Sequence, residues 1–192
     1  MELKTTISKI VEYDNINFID TNFVLEDSFA DFDRIAEEFN ATSSKPFIID
    51  VTIQCMHELE KFAGSNNPEK AALQAKAKHW LEVFKTSFIS GGKYRLNANQ
   101  RGPLFDNAML AEATIHRLEK PVTLFSNDQD LTNEMMLLNH SKACRGYRVS
   151  VYTMKNGTQT HLIKKDDIGY RLIDILYKMS LPAKNTTFAE AY

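Results

Sequence analysis

Four acidic residues of this sequence lie at or just beyond apolar stretches, where buried strands are expected to end. Asp20 directly follows one apolar run, Asp128 is the third residue after another, Glu58 lies beyond a third run, and Asp106 opens an amphipathic segment. A carboxylate at a buried strand end is costly unless a positive charge lies beside it. Carboxylate oxygens are ligands that Mg²⁺ and Mn²⁺ prefer. The pattern therefore predicts a divalent-cation site, with one or two ions, that carries out phosphoryl transfer.

Short apolar runs that alternate with helical patterns are expected to position these acids. Such alternation is typical of an α/β fold whose parallel sheet has helices on both faces. In an open sheet of this kind, ligands bind beyond the carboxyl ends of the strands. We therefore expect Asp20 and Asp128 to project from that edge. The predicted strands are 16–19, 47–53, 94–96, 122–125 and 148–154, and the predicted helices are 29–39, 56–63, 69–88, 107–118 and 131–140.

The C-terminal part of the chain adds a hairpin and a helix. Asn156-Gly157 is a strong hairpin-turn signal, so 149–154 is expected to pair with 160–164. An amphipathic helix at 168–179 then packs on the domain, or alternatively forms a dimer or partner interface. The predicted organisation is an N-terminal extension (1–15), one α/β domain (16–154), the hairpin and helix (155–181) and a tail (182–192).

Composition is that of an ordinary globular protein. The chain has 192 residues, 43% hydrophobic and 25% charged, with a formal net charge of −2 that does not exclude nucleic acid as a partner. Cys55 and Cys144 are expected to be buried free thiols in a reducing compartment. No apolar run reaches the roughly 18 residues that span a bilayer, and no secretion signal is recognisable. We expect a cytoplasmic protein that does not associate with membranes.

Four segments together resemble, in order, the acidic motifs of PIN-domain nucleases. They are NFIDTNF at 17–23, MHELEKF at 56–62, DNAMLAEA at 106–113 and LFSNDQDL at 124–131. The resemblance covers most of the chain and implies a three-layer α/β/α fold with a central, mainly parallel sheet. It also implies metal-dependent endonucleolytic cleavage of RNA by metal-activated water, which leaves a 5′-phosphate and a 3′-hydroxyl.

The resemblance assigns roles by position. Asp20, Glu58, Asp106 and Asp128 would be the catalytic, metal-binding acids, with Glu58 either binding metal or positioning the water. Asp130 would be an additional metal-binding acid, and Asn22 and Ser126 would be the supporting polar residues. RNA would be the substrate, with an inhibitory protein or a second copy as a further partner, in a toxin, a defence nuclease or an RNA-processing enzyme.

Other interpretations stay open. A non-catalytic module of the same fold could bind RNA or a protein, and Asp106 could simply cap its helix. A haloacid-dehalogenase-like phosphatase is the weaker alternative, because Asn22 stands where such an enzyme carries its second acid. Contacts with RNA phosphates could come from four basic residues near the site, although solvated surface charge is the simpler interpretation of each. They are Lys61, Lys93, Arg95 and Arg101.

Overall fold

The computed structural model describes residues 3–97, 105–140, 146–155 and 161–164, with only the backbone at 105–108, 155 and 161–163. The predictions for Arg101, Cys144, the hairpin turn, the final helix and the tail lie outside the described residues. The elements are α1 (Leu3–Glu12), β1 (Ile16–Ile19), α2 (Thr21–Val24), α3 (Phe29–Thr42), β2 (Ile49–Thr52), α4 (Ile53–Ala63), a 3₁₀ turn (Pro68–Lys70), α5 (Ala71–Ser90), β3 (Tyr94–Asn97), α6 (Phe105–His116), β4 (Val122–Phe125), α7 (Gln129–Leu137), β5 (Val149–Lys155) and β6 (His161–Lys164).

The strands form one sheet in the order β3-β2-β1-β4-β5-β6. The first five are parallel, and β6 pairs antiparallel with β5, as the hairpin prediction requires. The chain moves outward from β1 to β3, then returns to β4 beside β1 and moves outward the other way. The predicted α/β fold is confirmed. Its strand order reverses between β1 and β4, and the carboxyl ends of these two strands flank the crevice where such folds bind ligands.

Two hydrophobic cores cover the two faces of the sheet. Successive strand residues alternate between faces, so Phe18 and Ile19 belong to different cores. Ile19 packs with residues of α1 to α5, whereas Phe18 packs with residues of α6 and α7. Helices on both faces give the three layers, α/β/α, that the sequence predicts.

Two helices were not predicted from the sequence. In α1, Leu3, Ile7 and Ile10 are buried in the core beside α3, so this N-terminal segment packs against the sheet layer. Helix α2 has only four residues, which are too few to show a helical period in the sequence. Its N-terminal cap is Asp20. No helix within the described ranges has the length and apolar character needed to cross a membrane.

Aromatic packing holds α2 in place at the end of β1. The ring of Phe23 lies 5.9 Å from that of Phe29, 5.4 Å from Phe32 and 5.5 Å from Phe125, centroid to centroid, and all four rings are fully buried. Edge-to-face and tilted pairs of this kind add about 0.5–1.5 kcal/mol each to the burial of their area. The packing therefore fixes the short helix whose first turn presents Asp20.

Candidate metal and nucleic-acid site

Asp20 lies at the carboxyl end of β1 and caps α2. Its Oδ1 accepts a hydrogen bond from the Thr21 N–H at 2.8 Å, and its Oδ2 accepts one from the Ser126 hydroxyl at 2.9 Å. The pKa of Asp20 is raised to about 6, chiefly by burial. The negative charges of Glu58 and Asp128 contribute to this rise, and the hydrogen bonds from Ser126 and Thr21 oppose it. A carboxyl group held at such a pKa beside two other acids is typical of a functional site.

Ser126 joins the two strand-end acids. Its side chain is fully buried, and its Oγ donates to Asp20 and accepts from the Asp128 N–H at 3.0 Å. Asp128 caps α7 through Oδ1, which accepts from the N–H groups of Asp130 and Leu131 at 2.8 and 2.9 Å. The Asp128 carboxylate is thus aimed by the first turn of α7 and linked through one hydroxyl to Asp20.

Asn22 completes this network. Its Nδ2 donates to Asp128 Oδ2 at 3.3 Å from an exposed position on α2. Each carboxylate oxygen can accept two hydrogen bonds or ligands. Each oxygen of Asp20, and Oδ2 of Asp128, accepts one hydrogen bond and therefore keeps one further acceptor position.

The other predicted acids lie on helices that begin near the same edge. Glu58 is partly buried on α4 and close enough to Asp20 to raise its pKa. Asp130 is exposed in the first turn of α7. Asp106 is the second residue of α6, but its side chain lies outside the described part of the structure. The structure therefore places Glu58 and Asp128 close enough to Asp20 for their charges to raise its pKa, and the roles of all these acids stay predictions.

The donor set fits a hard cation in its chemistry. Carboxylate and amide oxygens suit Mg²⁺ or Mn²⁺, which keep several waters and need few protein ligands. Among the described side chains, no three His, Cys, Asp or Glu residues are grouped closely enough to hold a metal ion. A site built on Asp20 and Asp128 would therefore need water, substrate oxygens or the acid on α6 to complete the coordination.

Cys55 lies beneath the acids, on α4. Burial raises the pKa of its thiol far above the usual range, and the charges of Asp20 and Glu58 raise it further despite the hydrogen bond with Thr21. Because the thiolate is the reactive form of cysteine, this thiol stays protonated and packs as a core residue.

Asn127 was not singled out from the sequence, although it lies between Ser126 and Asp128. Its Nδ2 donates to Glu26 Oε1 at 2.8 Å, and its Oδ1 accepts from the Met154 N–H at 2.8 Å. The Asn127 side chain thus connects the loop between β4 and α7, which carries Asp128, to the segment before α3 and to β5. Its signal in the sequence is a polar residue in a strand-end loop, but the partners lie about a hundred and about thirty residues away along the chain.

Two of the four predicted RNA-contacting cations have acidic partners within the protein. Lys93 Nζ lies 3.0 Å from Asp33 and 2.6 Å from Glu37, and the Lys93 side chain is 9% exposed. Arg95 makes a two-pronged hydrogen bond to Asp50, at 2.6 and 2.9 Å. Lys61 is exposed near the end of α4. Contact of any of these residues with RNA stays a prediction.

Replacing Arg95 by Leu is expected to destabilise the fold. The Asp50 side chain is only 6% exposed, so the substitution leaves a buried carboxylate without its partner. We expect the free energy of unfolding to fall by about 2–3 kcal/mol. This loss is smaller than that for breaking a fully buried ion pair, because Arg95 is largely exposed. Urea unfolding at pH 7 measures this loss.

Two further variants separate this pair from general effects of charge removal. Arg34→Leu removes an exposed partner of Glu38 and should cost less than about 1 kcal/mol. Asp50→Asn combined with Arg95→Leu should recover part of the loss, because the buried charge is gone. If Arg34→Leu and Arg95→Leu lowered the free energy of unfolding equally, the pair of Arg95 and Asp50 would contribute no more to stability than an exposed ion pair.

No protein-family model matches the chain, and no curated protein is similar enough to count as a relative. Among solved structures, the chain is similar to the PIN domain endonuclease Utp24, with 15% sequence identity and a TM-score of 0.48. The match covers 76% of this chain and 89% of that one.

Proposed function

We propose that this protein is a divalent-metal-dependent endoribonuclease that hydrolyses RNA phosphodiester bonds at the acidic edge of its sheet. The observation that carries the proposal is the position of Asp20 and Asp128 at the point where the strand order reverses. Burial and the charges of Glu58 and Asp128 raise the pKa of Asp20 there to about 6. A structural role would favour acids paired with cations. Acids gathered beside one another are instead suited to binding a cation and an anionic substrate together.

Asp20, Asp106 and Asp128 would hold Mg²⁺ or Mn²⁺, and Glu58 would either join them or orient the attacking water. When bound, such a cation supplies a Lewis acid that stabilises negative charge on the phosphate and lowers the pKa of water. The protein contributes positioning. Ser126 and the first turns of α2 and α7 fix both aspartates before substrate arrives, so little reorganisation is needed during the reaction.

The proposal is tested by cleavage of labelled single-stranded and structured RNA with Mn²⁺, Mg²⁺ or EDTA. Helix α4 offers a matched pair of variants: Glu58→Gln changes the acid near Asp20, whereas Glu60→Gln changes an exposed acid two residues further on. We expect metal-dependent cleavage that falls about 10²-fold or more in Glu58→Gln and is retained in Glu60→Gln. The absence of cleavage by the wild-type protein on all substrates would contradict the nuclease. Equal cleavage by the two variants would remove Glu58 from the site.

A further inference from the structure

Two segments of the chain carry the aspartates that lie where the strand order reverses. Asp20 caps α2, which contains Asn22, whereas Asp128 belongs to the loop between β4 and α7. Two hydrogen bonds join the segments directly, from Ser126 Oγ to Asp20 Oδ2 at 2.9 Å and from Asn22 Nδ2 to Asp128 Oδ2 at 3.3 Å. The second is longer than an ordinary N–H···O bond, and both end on oxygens of the proposed metal-binding acids.

Asn127 joins the same two segments through atoms other than the oxygens of those acids. Its Nδ2 donates to Glu26 Oε1 at 2.8 Å, and its Oδ1 accepts from the Met154 N–H, on β5, at 2.8 Å. Glu26 follows α2 by two residues and is fixed there by backbone hydrogen bonds. Its N–H donates to the Phe23 carbonyl, and its carbonyl accepts from the Phe29 N–H. Asn127 therefore holds the end of α2 and strand β5 to one loop.

The link requires an amide that faces a carboxylate. Asparagine offers a donor and an acceptor on one side chain, and here each of them is used. A hydrogen bond accepted by a carboxylate is roughly twice as strong as one between neutral groups. Asp20 and Asp128 carry like charges, which repel each other in the absence of a cation. The bond from Asn127 to Glu26 opposes this repulsion, because it holds the loop of Asp128 to the end of α2.

We propose that Asn127 is a positioning residue that keeps Asp128 in place beside Asp20 for the binding of a divalent cation. The inference rests on the proposed function, because it takes the two aspartates as metal ligands. Substitution of residues that orient metal ligands without binding the metal typically lowers metal affinity or activity about 10- to 100-fold. Both polar groups of the Asn127 side chain have partners other than the acids, so its effect passes through the loop that carries Asp128.

The test exchanges the donor and the acceptor of this link and measures Mn²⁺ binding by calorimetry, without RNA. Asn127→Asp removes the donor and places a second carboxylate against Glu26, so the two side chains repel each other. Adding Glu26→Gln restores the link in reverse, because the introduced amide can donate to the introduced carboxylate, which still accepts from the Met154 N–H. The control is Gln129→Glu, which adds the same charge at an exposed position directly after Asp128.

We expect the Kd for Mn²⁺ to rise about tenfold or more in Asn127→Asp and to return to within about threefold of the wild-type value in the double variant. Electrostatics alone predicts the opposite for Asn127→Asp, since an added carboxylate near a cation tightens its binding. Gln129→Glu should therefore show an unchanged or lower Kd. A role of Asn127 confined to the fold would lower the melting temperature in EDTA and leave the Kd of the folded protein unchanged.

A second pair of variants tests the link without changing the loop. Glu26→Ala and Glu26→Gln remove the same charge, but only the glutamine keeps an acceptor for Asn127 Nδ2. The Kd for Mn²⁺ should rise in the alanine variant and stay near the wild-type value in the glutamine variant. Equal values in the two variants would contradict the positioning role.

The outcomes separate this inference from the proposed function. A wild-type protein that does not bind Mn²⁺, an unchanged or lower Kd in Asn127→Asp, or a double variant that is not rescued overturns the inference. Rescued Mn²⁺ binding supports it even where the wild-type protein cleaves no RNA, in which case the nuclease proposal fails alone. If the wild-type protein cleaves RNA while Asn127→Asp binds Mn²⁺ normally, the nuclease stands and Asn127 serves only the fold.

Discussion

Asp20→Asn is expected to make the metal-free protein more stable while it strongly reduces the cleavage of RNA. In the folded protein, burial and the neighbouring acids raise the pKa of Asp20 from 3.8 to about 6, so ionising this group costs folding energy. Two pKa units correspond to about 2.7 kcal/mol. We expect a gain of about 1–2 kcal/mol at pH 8, because asparagine keeps an acceptor for one of the two hydrogen bonds but alters the other.

The gain should depend on pH in a defined direction. Below about pH 4 the group is protonated in both the folded and the unfolded chain, so the charge contributes no difference. Between about pH 4 and pH 6 the unfolded chain has released the proton and the folded protein still holds it, so wild-type stability falls as pH rises. Above pH 6 Asp20 is ionised in the folded protein as well, so the full cost of holding this charge in a buried position lowers the stability. The stabilisation by Asp20→Asn should therefore appear between pH 4 and 6 and stay constant above.

Urea unfolding in EDTA at pH 4 and pH 8 measures the stability effect, and cleavage assays with Mn²⁺ measure the activity. Loss of a metal-binding acid from a catalytic unit is expected to reduce kcat by about 10³-fold or more. Glu60→Gln should change neither quantity. A variant that is less stable than wild type at pH 8 would show that Asp20 serves the fold, as the cap of α2, more than it serves a charged site.

The sequence was sufficient to predict the layers and the edge of the sheet that holds the acids. Strands β1 and β4 are buried on both faces, so they appear as short apolar runs whose ends are sharply marked by Asp20 and by Ser126. In a parallel sheet, all such ends meet at one edge. That rule alone is enough to bring Asp20 near Asp128 across more than a hundred residues of sequence.

Side-chain partnerships could not be predicted in the same way. Asp50 and Arg95 pair because β2 and β3 align them directly across the sheet, a register that no local pattern contains. The role of Asn127 likewise depends on β5 passing its loop. The four-residue helix α2 could not be predicted, because helical periodicity cannot be recognised over one turn. Its stability comes from the packing of Phe23 against other aromatic rings and not from its local sequence.

Mn²⁺ is expected to raise the melting temperature of the wild-type protein by about 5–10 °C. Binding to the folded state alone stabilises by about 2.7 kcal/mol at a hundredfold excess over Kd, and a domain of this size gains about 2–4 °C per kcal/mol. Repulsion among Asp20, Glu58 and Asp128 is the reason to expect such a response, since a cation removes it. Asp128→Asn should lose most of the shift, whereas Glu60→Gln should keep it.

The same response should weaken on acidification. Protons compete with the cation for Asp20, whose pKa of about 6 means that the carboxyl group is largely protonated at pH 5. The shift measured at pH 5 should therefore be clearly smaller than the shift at pH 7.5, at equal Mn²⁺. Thermal melts at the two pH values, with and without EDTA, provide the measurement. A shift that is equal at both pH values, or equal in wild type and Asp128→Asn, would mean that Mn²⁺ binds elsewhere. The raised pKa of Asp20 would then result from burial alone, and Asp20 would not bind the cation.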